Sequence, residues 1–209
     1  ANQYKFIVIV PEFSSADFPG GDAYNLGNVF VDGDNPSQET LNPEEEWTFS
    51  VIEPLFDYVK QFTNNTSSKY DVFGHSAGGQ FAHRFAMFKP NARYNKMVAS
   101  ASGWYTVTDA EINFPYGFKR SPLEDITVSE LFSKEIIIQV GSLDNNPNAP
   151  SLRRNQYADA QGINLLDRAN HFFNKAAQLA TDNSLNFNWD LVVNQGENHD
   201  FRKAAELAA

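Results

Sequence analysis

The chain has 209 residues, 42% of them hydrophobic and 14% aromatic, which suits one domain with a sizeable buried core and excludes a disordered chain. Against 26 acidic residues stand 16 basic ones, and the resulting net charge of −10 gives a surface that repels nucleic acid and anionic membranes. With no cysteine there is no disulfide, thiol catalysis or cysteine-held metal, and no apolar run approaches the roughly 18–20 residues of a membrane span.

Residues 5–10, Lys-Phe-Ile-Val-Ile-Val, form a continuous apolar run that Pro11 ends, predicting a strand buried on both faces. No signal-peptide pattern precedes it, and the chain opens on Ala1 rather than Met, as a processed or truncated chain does. Residues 12–43 are rich in Gly, Pro, Asn and Asp and read as a long loop, a kind that is usually functional or mobile. Asn42 as cap, Pro43 at the first position and Glu44, Glu45 and Glu46 in the first turn then predict a helix over 44–63, kinked at Pro54. Further strands are expected at 70–73, 96–101, 135–140 and 187–193, and helices at 79–88, 153–180 and 201–207. Strands alternating with helices imply an α/β fold with a mostly parallel sheet and right-handed crossovers; no linker divides residues 1–209.

Three strand ends carry the chemistry. Gly74-His75-Ser76-Ala77-Gly78 joins a strand to a helix and fits G-x-S-x-G, in which small neighbours let a serine take a strained turn and project its hydroxyl above the sheet. Ser76 is the candidate nucleophile, and the backbone N–H of Ala77 a candidate oxyanion donor. A tight turn with an idle serine is the plainer alternative. A serine needs a base, and the base an orienting acid. Asp144 follows the fourth of these strands in Gly141-Ser142-Leu143-Asp144, and His199 follows the last in Glu197-Asn198-His199-Asp200, giving the order Ser, Asp, His. An Asx turn would also suit Asp144, and a loop or helix-capping role His199. Asp109 is a weaker rival acid, further from its strand. His83 and His171 fall within helices, and no two histidines sit at metal-ligand spacing on one helix. Phe13, Phe18, Tyr24 and Trp104 are candidates to line an apolar cleft or, equally, to cover core, and His75 to shape the pocket beside the nucleophile.

With "GHSAGG", "GSLD" and "GENHDF" in that order, the chain resembles bacterial α/β-hydrolases, and "VIVPEFSSADFPGGDAYNLGNVF" and "EEWTFSVIEPLFDYV" resemble esterases related to polyhydroxybutyrate depolymerases. The resemblance implies helices on both faces of the sheet and ester hydrolysis through an acyl-enzyme, with no cofactor. It also implies an extracellular or periplasmic setting and ester substrates that are small or oligomeric; oligomeric state is not indicated. A serine peptidase of the same fold is the runner-up. In that family the nucleophile elbow follows the fifth strand, so residues 5–10 correspond to the fourth, and the third strand with its oxyanion loop is expected upstream of Ala1. Its absence would leave a gap, or force the flanking strands to pair, and would remove the usual second oxyanion donor. Glu12 and Phe13 are candidates to replace that donor, and a non-catalytic α/β module is the third reading.

Overall fold

In the computed structural model, which describes residues 5–209, four parallel strands form one sheet in the order β1 (Tyr70–His75), β2 (Tyr94–Ser100), β3 (Glu135–Gly141) and β4 (Trp189–Asn194). Their apolar runs pair in parallel register, with one irregularity between Tyr70 and Val72 on β1: Val72 lies opposite Met97, Val98 opposite Ile137, and Ile138 opposite Leu191. The central strands β2 and β3 are buried along their C-terminal halves, as strands covered on both faces must be. The edge strands are half-open, and Phe73 on β1 and Val192 on β4 remain partly exposed.

The helices are α1 (Gly20–Ala23), α2 (Ile52–Thr63), α3 (Ala77–Phe88), α4 (Val128–Ser133), α5 (Gln156–Gln161), α6 (Leu165–Asp182) and α7 (Phe201–Ala208). Alternation along β3 sorts the layers. Ile136, Ile138 and Val140 join the main core cluster with Phe85 of α3 and Phe172 of α6. Gln139 points the other way and donates through Nε2 to the carbonyl of Ala204 on α7. Helices therefore cover both faces, as the resemblance implies. Among the described residues no helix is long and apolar enough to cross a membrane.

Several expectations are corrected. Residues 5–10 lie outside the sheet and are exposed, with Val10 at 84% and Val8 at 56% of full accessibility. Apolar content makes a strand only where a neighbouring strand takes its hydrogen bonds, and among the described residues the sheet begins at β1 and does not include this run. The helix expected over 44–63 is two short 3-10 turns, Glu44–Glu46 and Thr48–Val51, followed by α2; the break falls at Trp47, whose ψ is 135°. Pro54 sits in the first turn of α2, where its missing N–H has no intrahelical partner to lose, so it does not act as a kink. Asn42 gives no side-chain cap; it donates instead to the carbonyl of Asn28. The helix expected over 153–180 is split into α5 and α6 by Gly162, whose φ of 142° and whose packing against Asp167 exclude a side chain. Asn164 then caps α6 by accepting from the N–H of Asp167. The short α4 had no clear signal in the sequence.

Candidate active site

β1 ends at His75 and α3 begins at Ala77, so Ser76 alone makes the turn between them. Its φ of 57° and ψ of −114° are unusual for a residue with a side chain, and such strain persists only where the surroundings enforce it. They do so here. A Cβ at Gly74 would run into the Gly78 carbonyl, and one at Gly79 would lie 2.5 Å from the Ser100 carbonyl oxygen. The N–H of Ser76 donates to that same Ser100 carbonyl at 2.9 Å, pinning the turn to β2. The first N–H groups of α3, Ala77 among them, have no partner within the helix and add the positive end of its dipole beside the serine.

Asp144 and His199 are brought together by two loops tied at the ends of β3 and β4. Ser142 N–H donates to the Asn194 carbonyl and Leu143 N–H to the Glu197 carbonyl, each at 2.9 Å, and Gly196 N–H returns a bond to the Ser142 hydroxyl at 2.9 Å. The close approach of Gly141 to the Glu197 carbonyl leaves no room for a side chain there. The result is Asp144 Oδ1 at 3.5 Å from His199 Nδ1. The Asp144 side chain is nearly buried and the imidazole is 37% exposed. The carbonyl of Asp144 also accepts from Leu166 N–H at 3.1 Å, anchoring the acid to the start of α6. A cavity of about 280 Å³ opens beside the pair, lined by Leu143, Asp144, Asn146, Ala149, Leu165, Asn198 and His199.

The other sequence candidates fall elsewhere. Phe13 packs against Phe18, Tyr24 and Phe81 with ring centres 5.0–5.4 Å apart, and Tyr24 lies 5.5 Å from Phe81, so this part of the first loop sits on α3 just past the elbow. Trp104 is buried between the guanidinium groups of Arg84, at 4.1 Å, and Arg153, at 5.1 Å. None of these four lines the cavity at His199. His75 packs its ring on His199, 4.5 Å between centres. Asp109 is occupied by Lys175 at 3.2 Å. His83 is buried within α3; it accepts at Nε2 from Thr106 N–H and bonds the Gly79 carbonyl through Nδ1, and burial, then Arg84, holds it well below the usual imidazole range. The cavity residues Asn146, Ala149 and Leu165 went unread in the sequence: only the acid in Gly-Ser-Leu-Asp carries a chemical signature, while the wall is set by how α6 meets that loop.

No protein-family model matches the chain, and neither does any curated protein. Among solved structures it is similar to poly(aspartic acid) hydrolase-1 from Sphingomonas sp. KT-1, with 35% identity and a TM-score of 0.87 over 95% of this chain and 73% of that one. It is also similar to LpqC, a poly(3-hydroxybutyrate) depolymerase from Bordetella parapertussis, with 28% identity and a TM-score of 0.85 over 95% of this chain and 65% of that one. On the strength of the 35% identity and the shared α/β architecture, the chain belongs to the α/β-hydrolase family of polyhydroxybutyrate depolymerase-like enzymes that includes these two proteins.

Proposed function

We propose that the protein is a serine hydrolase that cleaves carboxylic esters through an acyl-enzyme. Ser76 Oγ attacks the carbonyl carbon while His199 takes its proton. His199 then delivers that proton to the leaving alcohol. Asp144 holds the imidazole through Nδ1 and stabilises its charged form, and the Ala77 N–H stabilises the tetrahedral oxyanion. Water completes the cycle with His199 as base, freeing the acid and Ser76. The observation that carries this reading is the approach of Asp144 to His199 at 3.5 Å, on loops at the same C-terminal edge of the parallel sheet as the strained Ser76. The names of the two similar proteins support hydrolysis of a polymer backbone, and the depolymerase supports an ester.

Amide cleavage by the same three residues is the second reading, favoured by the poly(aspartic acid) hydrolase, whose named substrate is a polyamide. The net charge of −10 weighs against a polyanionic substrate here. The expected result is turnover of a short activated ester and labelling by an active-site phosphonate, both lost in Ser76→Ala by a factor of about 10³ or more with the circular dichroism unchanged. Turnover surviving in that variant would remove Ser76 as nucleophile. Faster cleavage of matched amides than of esters would favour the second reading, and a folded parent that neither turns over nor labels would favour a non-catalytic module.

A further inference from the structure

The ring of His75 meets that of His199 at 4.5 Å with a tilt of 43°. On its other side, His75 Nδ1 lies 3.2 Å from the hydroxyl of Ser100, which sits opposite His75 in the β1–β2 register and is almost fully buried. The carbonyl of the same Ser100 accepts the N–H of Ser76. One buried serine therefore fixes both the nucleophile's turn and the ring next to it. His199 is held less firmly. It comes from a loop, more than a third of its side chain faces solvent, and its contact with Asp144 is long. An imidazole held at one nitrogen alone is free to swing about that contact, and a base that must reach Ser76 cannot afford to.

We propose that His75 is a positioning residue: Ser100 orients its ring, and the ring holds the imidazole of His199 at the angle from which it exchanges a proton with Ser76. The proposal rests on the serine-hydrolase reading above. It assigns His75 no contact with substrate, and it departs from a pocket-shaping role, which would show in substrate binding instead. The electrostatics agree. Burial, then the neighbouring His199, lowers the proton affinity of His75, against the opposing pull of Asp144, the His199 carbonyl and Asp200. His75 thus stays neutral near neutral pH and does not repel the imidazolium that His199 becomes during attack.

The test compares His75→Ala, His75→Phe and Ser100→Ala with the parent, reading kcat and KM on a short activated ester, together with the NMR titration of the His199 imidazole Cε1–H. The expected result is that His75→Ala loses about 10- to 100-fold in kcat with KM changed by less than about twofold, that His75→Phe recovers most of the loss because a ring is restored, and that Ser100→Ala falls between. The His199 titration shifts in His75→Ala, and thermal melting confirms that each variant is folded. The proposal is overturned by an unchanged kcat in His75→Ala, by a rise in KM with kcat preserved, or by a His199 titration that does not move. If the parent itself is inert toward esters and phosphonate, the esterase reading fails and the proposal falls with it, whereas an active parent with an unchanged kcat in His75→Ala overturns the proposal alone.

Discussion

At the scale of single residues, His83 shows how a polar group is read differently once its surroundings are known. It is fully enclosed, satisfied at both nitrogens and held neutral, so the folded protein resists protonating it while the unfolded chain takes up the proton near the ordinary value of 6.5. The unfolded state then binds more protons, and stability falls as the pH drops below about 6.5, by up to about 1.4 kcal/mol per pH unit for this one group. Urea midpoints measured from neutral to mildly acidic pH should show that slope, reduced in His83→Gln; an unchanged slope would remove His83 as its source. Ser76, Asp144 and His199 could be named as candidates from the sequence because each follows a recognisable strand and has a side chain whose chemistry narrows its use. Arg84 could not. It is buried against Trp104 with bonds to the Thr106 hydroxyl and to two carbonyls rather than to a carboxylate, and burial pushes it down to about 9. Nothing in one sequence distinguishes such an arginine from a solvated one.

At the scale of elements, the legible ones were those whose own residues settle the matter. β2 and β3 are apolar runs that end at the site, and α3 and α6 carry their apolar faces at helical spacing. The illegible ones depend on neighbours. Residues 5–10 have the composition of a buried strand and are nonetheless exposed outside the sheet. Their placement has a direct consequence: Val10→Lys should change the urea midpoint by no more than corresponds to about 0.5 kcal/mol, whereas the same change within a buried strand costs several times that. A large loss would return the run to the core. The breaks at Trp47 and Gly162 are of the same kind. Each interrupts a helical apolar pattern, and periodicity records the face of a helix but not its end.

For the molecule as a whole, the fold serves one edge. The loops after β1, β3 and β4 deliver Ser76, Asp144 and His199 to the C-terminal ends of parallel strands, where an open α/β sheet leaves a crevice. The shared core is built from α3, α6 and the central strands. Close packing at Gly74 and Gly79 and the bond to the Ser100 carbonyl hold Ser76 in a backbone conformation that a side chain disfavours. Such a conformation costs about 1–3 kcal/mol, and glycine would largely escape it, at some entropic expense of its own. The durability of the protein is therefore set below what its architecture allows. Ser76→Gly should melt a few degrees above Ser76→Ala, about 2–4 °C for each kcal/mol recovered in a chain of this size, and equal melting temperatures would mean that the turn holds no such reserve. Heat resistance and the hydroxyl at position 76 stand in exchange, so a search for hardier variants that does not also screen for turnover will be drawn to the residue proposed as the nucleophile.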